Sequence, residues 1–126
     1  MLLDTCAVVW LAVGQGLSER ARSLISAHAG GLYVSAISAF EVGLLGQRGR
    51  LALPLPADAW FERAIAQHGL TEVPVTGAIA ARSTMLPAIH GDPADRIIIA
   101  TAQQLKLPVL TPDAHIRRYP DVRCDW

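Results

Sequence analysis

Short apolar runs alternate along the chain with longer segments in which apolar residues recur at helical spacing. The short runs predict buried strands at residues 1–4, 32–34, 70–75, 108–111 and 122–124. The longer segments predict helices at residues 5–13, from Ser18 to the Gly30–Gly31 pair, from Ser35 to Gly46, and at 56–68, 76–86 and 92–106. Pro74 confines the strand at 70–75 to a sheet edge, because proline donates no backbone hydrogen bond.

This alternation of strands and helices predicts one α/β domain with a largely parallel sheet. No internal repeat, low-complexity segment or linker interrupts the 126 residues. A chain of this length can bury a sizeable core. Since 52% of the residues are hydrophobic and 17% charged, a partner or a second copy is expected to cover apolar surface.

The charge balance gives no global preference for nucleic acid, because eleven basic residues match eleven acidic ones. A bound polyanion would have to be held locally, by arginines and metal. Ten of the eleven cations are arginine, whose planar fork suits phosphate, although codon bias explains the same excess equally well.

The ends of the chain indicate an intracellular setting. Cys6 and Cys124 show neither metal-ligand nor disulfide spacing and are expected to be buried cysteines in a reducing compartment. The apolar stretch from Leu2 to Val13 has no basic start, is interrupted by Asp4 and is too short to span a bilayer. We therefore expect a cytoplasmic protein without a membrane segment.

Four carboxylates stand near the strand-like runs or at the start of the most apolar helix: Asp4, Glu41, Asp95 and Asp113. Open α/β folds bind ligands at the carboxyl ends of their parallel strands, where these acids would converge. Four like charges in one pocket require protonation of some of them or a divalent cation. Hard cations such as Mg²⁺ prefer oxygen ligands. The leading interpretation is a metal-dependent phosphoryl-transfer enzyme.

The first two acids also have ordinary structural interpretations. Asp4 is able to cap the helix that begins at Thr5. The segment Ser38 to Glu41 matches a capping box, in which both side chains would bond the helix start. If Ser35 caps that helix instead, Glu41 lies inside it and capping no longer explains the glutamate.

The acids nearer the C-terminus divide between capping and metal binding. Asp92 before Pro93 fits a helix N-cap. Asp95, one turn before Ile99, lies on the buried side and favours metal, although the helix dipole would also stabilise it. Asp113 is also a common turn residue. The joint placement of the acids, rather than any one of them, supports a site.

Other chemistries find less support. The histidines, at positions 28, 68, 90 and 115, lack zinc spacing and are expected at the surface or at helix ends. The chain has no P-loop, no Gly-x-Ser-x-Gly elbow and no dinucleotide fingerprint.

With these residues set out, the chain resembles the PIN-domain ribonucleases and, among them, the VapC-type toxins of bacterial toxin–antitoxin pairs. The motifs that carry the resemblance span nearly the whole chain, in family order: Leu2–Thr5, Val34–Glu41, His90–Arg96 with Ile99–Ala102, and Leu110–Asp113. Each motif is short, but four in order over this length are specific.

The resemblance implies a fold and a set of partners. The fold would be a single PIN domain over residues 1–126, a three-layer α/β/α arrangement around a short, mostly parallel sheet of four or five strands. The activity would be hydrolysis of RNA with Mg²⁺ or Mn²⁺ as cofactor, which would activate water and stabilise the leaving oxygen. The partners would be an RNA substrate, a cognate antitoxin whose tail blocks the pocket, and a second copy in a homodimer.

The resemblance also assigns roles residue by residue. Asp4 and Asp95 would be direct metal ligands, Asp113 a direct or water-mediated ligand, and Glu41 would orient water or a second ion, with Asp92 as an additional ligand. Thr5, Ser38 and Thr111 would support them. Candidate contacts to RNA phosphate are Arg48, Arg50, Arg96, Arg117 and Arg118. Ile116 stands where some relatives carry another acid, which leaves one or two metal ions open.

Three other functions compete with this one. A catalytically inactive PIN-like RNA-binding module should have lost at least one of the four acids, and none is missing. A receiver-type phosphoacceptor domain would need paired acids after the first strand, whereas Asp4 stands alone. Cleavage of DNA is compatible with the same metal site.

Overall fold

The computed structural model describes residues 1–126 and contains five strands, six α-helices and one 3₁₀ turn. The strands are β1 (Leu2–Leu3), β2 (Tyr33–Ser35), β3 (Thr71–Val73), β4 (Val109–Leu110) and β5 (Cys124–Asp125). The helices are α1 (Thr5–Val13), α2 (Glu19–Ala27), α3 (Ile37–Gln47), α4 (Ala57–His68), α5 (Gly77–Thr84) and α6 (Pro93–Leu105), and the 3₁₀ turn spans Ile116–Arg118. Every predicted element is present.

The five strands form one sheet in the order β3-β2-β1-β4-β5, and every pairing is parallel. The α/β architecture with a short parallel sheet is confirmed. Strand β3 lies at an edge, as Pro74 predicted. The fifth strand starts at Cys124 and forms the opposite edge, two residues later than the apolar run from Val122 indicated.

Alternate strand residues build the two cores of the molecule. Leu3, Val34 and Leu110 face a cluster that includes buried residues of α1, α2, α3 and α4. Leu2 and Val109, one position earlier on their strands, face a second cluster with α6 and the 3₁₀ turn. Because successive strand residues point to opposite faces, these two-residue strands are buried on both sides. The result is the predicted three-layer α/β/α arrangement.

The strand order places a topological switch at the centre of the sheet. Strand β1 pairs with β2 on one side and with β4 on the other, and chain connections leave these strands towards opposite layers. Such switch points open a crevice beyond the carboxyl ends of the strands. Asp4 directly follows β1, and Thr111 directly follows β4.

Most helix starts have a side-chain cap. Asp4, Ser18, Thr76 and Asp92 each accept a hydrogen bond from a backbone N–H in the first turn of the helix that they precede. Helix α4, which follows Pro56, has no side-chain cap, and neither does helix α3. The N-cap of α3 is Ala36, and Ser35 belongs to β2. The prediction that Ser35 starts this helix is wrong by two residues, because the strand extends through Ser35 to pair with Val73.

The expectation that both cysteines are buried is wrong for Cys6. Its neighbours Thr5 and Ala7 turn into the core, whereas Cys6 is exposed beside the carboxylates at the end of β1. Partial desolvation, followed by the negative charges of Asp4 and its neighbours, raises the pKa of the Cys6 thiol to about 12. Cys124 is half-buried. None of the helices has the length and apolar character that a bilayer crossing requires.

Candidate active site

A cleft of about 400 Å³ opens at the carboxyl end of β1, between α3 and the N-terminus of α6. All four predicted acids line it, and so does Asp92. The remaining lining residues are Thr5, Cys6, Phe40, Leu44, Leu45, Arg48, Pro93 and Ala94. One end of the cleft is therefore carboxylate-rich, and the side formed by α3 is largely apolar.

Asp4 is the most deeply buried acid of the cleft, with 2% of its surface exposed. Its Oδ1 accepts a hydrogen bond of 2.7 Å from the Ala7 N–H, and its Oδ2 accepts one from the Thr111 hydroxyl. The same Thr111 oxygen accepts from the Asp113 N–H at 3.0 Å. Asp4 thus caps α1, as the structural interpretation held, and it does so while buried among the other acids of the cleft.

Glu41 lies on the inner side of α3, one turn inside the helix. Its Oε1 accepts a hydrogen bond of 2.5 Å from the Thr5 hydroxyl, and Thr5 Oγ1 lies 2.9 Å from Ser38 Oγ. Because a hydroxyl has one proton to give, Ser38 donates to Thr5 and Thr5 donates to Glu41. The capping-box interpretation of Ser38 and Glu41 is wrong, since both residues lie within the helix.

Asp92 and Asp95 share the start of α6. Asp92 accepts a hydrogen bond of 3.0 Å from the Asp95 N–H, which confirms it as the N-cap. Carboxylate oxygens of Glu41, Asp92 and Asp95 all lie within 4.8 Å of one another. Asp92 is therefore both a cap and a member of the acid cluster. The other face of Asp95 meets His90, whose Nε2 lies 2.7 Å from Asp95 Oδ2.

Asp113 occupies the loop after β4. Its Oδ1 accepts a hydrogen bond of 2.7 Å from the His115 N–H, a turn that fixes the carboxylate. Potential ligand atoms of His90, Asp95 and Asp113 also lie within 4.8 Å of one another. Ile116 is completely buried in the core beneath the 3₁₀ turn, so no side chain at that position reaches the cleft.

The electrostatics of the cleft favour a bound cation. Burial, reinforced by repulsion from neighbouring acids, raises the pKa of Asp4 and that of Glu41 to about 7. Burial also raises the pKa of Asp95, against the hydrogen bond from His90. No lysine or arginine forms an ion pair with these acids. An all-oxygen cluster without a compensating arginine or lysine fits a hard divalent ion such as Mg²⁺ or Mn²⁺.

The five predicted arginines have different surroundings. Arg48 lines the cleft, and Arg50, Arg117 and Arg118 are exposed. The guanidinium of Arg96 instead donates to the carbonyl oxygens of Ser83, Leu86, Pro87 and His90 and to the Tyr119 hydroxyl. These contacts engage all three nitrogens of the guanidinium, so Arg96 holds the 83–90 segment in place. We therefore no longer propose Arg96 as a contact to RNA.

The contacts of His90 and His115 were not predicted, although His115 is exposed and His28 and His68 lie at helix ends, as expected. His90 and His115 stack with their ring centroids 4.7 Å apart and their planes 7° from parallel. Default placement at the surface or at helix ends did not predict this stack or the contact with Asp95. The only available signal was the position of His90 beside the Asp92 motif. The exposed Phe40 next to Glu41 was also not predicted.

The fold and the site together define a PIN domain, and a model of the PIN domain family matches residues 1–122. The chain belongs to this family. It is similar to Ribonuclease VapC22 from Mycobacterium tuberculosis (strain ATCC 25618 / H37Rv), with 39% identity over 130 residues that cover 100% of this chain and 98% of that protein.

Solved structures share the fold. A crystal structure of VapBC2 from Rickettsia felis bound to a promoter DNA fragment matches with a TM-score of 0.72 at 12% identity, covering 98% of this chain and 96% of that one. A toxin–antitoxin complex from Klebsiella pneumoniae matches with a TM-score of 0.67 at 22% identity, covering 96% and 93% of the two chains. At these identities the likeness establishes the three-layer fold.

Proposed function

We propose that this chain is a metal-dependent endoribonuclease that acts as the toxin of a toxin–antitoxin pair, with residues 1–126 working as one PIN domain. The observation that carries the proposal is the burial of Asp4 within a cluster of carboxylates that has no arginine or lysine to neutralise it. Similarity to Ribonuclease VapC22 over the full chain supports RNA as the substrate, and the fold shared with a toxin–antitoxin complex supports the toxin role.

The residues of the cleft have separate tasks in this proposal. Asp4, Asp95 and Asp113 would hold the cation, Mg²⁺ or Mn²⁺, and Glu41 would orient water or help to hold a second ion. A bound cation supplies a more acidic water and a stabilising charge for phosphodiester hydrolysis. Asp92 would add negative charge at the rim while capping α6.

The hydroxyl groups of the cleft orient these carboxylates. Thr111 donates a hydrogen bond to Asp4 and accepts one from the main chain of Asp113. It therefore links the segments that follow β1 and β4. Thr5, supported by Ser38, donates to Oε1 of Glu41 and leaves Oε2 of the carboxylate to take up or release a proton. Groups fixed in this way avoid reorganisation during the reaction.

The cations near the cleft would bind the RNA backbone. Arg48 lines the cleft itself, whereas Arg50, Arg117 and Arg118 are exposed and free of ion pairs with acids. Each would contribute phosphate contacts that position RNA without reading its sequence. Arginine suits this task because its planar fork binds phosphate oxygens in pairs.

The same cleft suits inhibition by a protein partner. An arginine or lysine of the antitoxin would replace the cation among the acids, while the apolar side formed by Phe40, Leu44 and Leu45 would bind the rest of the segment. Changing that basic residue to alanine should weaken inhibition, and full inhibition by the alanine variant would contradict this mode. The proposal also includes a homodimer, as the resemblance implied, and a cytoplasmic location, as the sequence led us to expect.

The test is cleavage of RNA by the purified protein with Mg²⁺, with Mn²⁺ and in EDTA. Cleavage should require metal, should be lost in Asp4→Asn and should persist in Asp121→Asn, an exposed aspartate outside the cleft. Single-stranded DNA of matched sequence should be a poor substrate. Binding of RNA without cleavage under any of these conditions would favour an inactive RNA-binding module instead.

A further inference from the structure

We propose that His90 is a positioning residue for Asp95. It would hold one carboxylate oxygen by a hydrogen bond, so that the other oxygen is presented to the cation. The inference rests on the proposed metal-dependent activity. It adds to the acids a hydrogen-bond donor, which a carboxylate cannot be. His90 Nε2 lies 2.7 Å from Asp95 Oδ2, and each side chain keeps 17% of its surface exposed.

The distance between His90 Nε2 and Asp95 Oδ2 fits a hydrogen bond. Asp95 is a carboxylate, which accepts hydrogen bonds, so His90 must carry its proton on Nε2 to make this contact. A ring nitrogen that donates a proton has no lone pair for a metal. Hydrogen bonds of this kind fix the orientation of ligating groups at metal sites.

Both the N–H and the carbonyl group of His90 form hydrogen bonds. Its N–H donates to the Tyr119 hydroxyl at 3.2 Å, and its carbonyl accepts from Arg96 Nη1 at 3.1 Å. Tyr119 is fully buried, and Arg96 also binds three other carbonyls of the same segment. The loop before α6 is therefore fixed from two sides, which accounts for a defined imidazole position in a segment without regular structure.

The stack between His90 and His115 extends this support to Asp113. The rings lie face to face with centroids 4.7 Å apart, and the His115 N–H donates to Asp113 Oδ1 at 2.7 Å. Asp95 lies in the first turn of α6 and Asp113 in the loop after β4, and the stacked rings join the segments next to these two acids. His90 thus stands where it sets the position of Asp95 relative to Asp113.

The decisive measurement is the affinity of the RNA-free protein for Mn²⁺, by isothermal titration calorimetry, with kcat and KM for RNA cleavage as a second readout. His90→Ala should weaken Mn²⁺ binding about tenfold, a typical loss for a group that supports a metal ligand. It should lower kcat while leaving KM for RNA nearly unchanged. His68→Ala, which removes a histidine at the end of α4, is the matched control and should behave as the parent protein.

The conservative variant separates positioning from direct ligation. His90→Gln places an amide N–H at the same distance along the side chain and should restore most of the Mn²⁺ affinity and kcat that His90→Ala loses. His115→Phe should keep both because it keeps the ring stack, whereas His115→Ala should lose part of the affinity. Thermal unfolding in EDTA identifies a variant that fails to fold, and the glutamine and His115 variants then decide the question.

Two results would overturn the inference. Parental Mn²⁺ affinity and kcat in His90→Ala would show that Asp95 needs no support, while Mn²⁺-dependent cleavage by the parent protein would leave the proposed function intact. Equal losses in His90→Gln and His90→Ala, in folded variants, would indicate that the imidazole itself coordinates the metal. A parent protein that neither binds Mn²⁺ nor cleaves RNA would instead refute the proposed function.

Discussion

Replacing Asp4 with asparagine should stabilise the metal-free protein near neutral pH and abolish RNA cleavage. Asp4 is buried, and its burial together with repulsion from Asp95 and Asp113 raises its pKa from 3.8 to about 7. The unfolded chain therefore releases this proton at lower pH than the folded protein does. The contribution of Asp4 to folding stability is fully present below about pH 4. It is lost as the pH rises from about 4 to about 7 and remains lost above that.

The magnitude follows from the same pKa values. A rise from 3.8 to about 7 corresponds to about 4 kcal/mol of stability lost at pH 8. Asparagine removes this loss because it carries no charge, and its Oδ1 can still accept from the Ala7 N–H. The asparagine NH₂ group would stand where Asp4 Oδ2 accepts a hydrogen bond from Thr111. Losing that hydrogen bond costs about 1 kcal/mol of stability. The net stabilisation is about 2 to 3 kcal/mol, or a rise in Tm of about 10 °C.

The assay is thermal unfolding in EDTA at pH 4 and at pH 8. Asp4→Asn should exceed the parent Tm at pH 8 and lose this advantage at pH 4, whereas Asp121→Asn should follow the parent at both. Adding Mn²⁺ at pH 8 should raise the Tm of the parent and have little effect on Asp4→Asn, because ligand binding stabilises only a protein that retains the site. An equal Tm of parent and variant at pH 8 in EDTA would refute the reasoning.

Four further variants test the other parts of the site. Asp95→Asn should lose RNA cleavage and Asp92→Asn should keep much of it, because asparagine caps a helix about as well as aspartate does; the reverse ranking in the cleavage assay would exchange their roles. Thr111→Val should lower kcat about tenfold by releasing Asp4, and it should cost about 1 to 2 kcal/mol in urea unfolding, since Asp4 and the Asp113 N–H both lose a partner. Arg96→Met should destabilise the protein by about 3 kcal/mol, because several partly buried carbonyls of the 83–90 segment lose their shared donor. Urea unfolding of Arg96→Met with a midpoint equal to that of the parent protein would show that these contacts are dispensable.

The chain pattern alone was sufficient to predict the order of every strand and α-helix and the edge position of β3. Hydrophobic periodicity is local, and it reports which face of a helix or strand is buried. Caps such as Ser18 and Asp92 are local too, because the side chain bonds a backbone group three residues away. The convergence of Asp4 and Asp113 was predictable for a related reason, since parallel strands bring their carboxyl ends to one edge.

The tertiary structure decided what depends on contacts between segments distant in sequence. Glu41 is not part of a capping box because α3 already begins at Ile37, so that Ser38 and Glu41 both lie within the helix. Arg96 became a structural residue because the 83–90 segment folds around its guanidinium. The stack of His90 on His115 joins two loops whose paths carry no periodic pattern. Loop paths follow from the packing of the helices and strands that they connect, so these partners are determined only in the folded molecule.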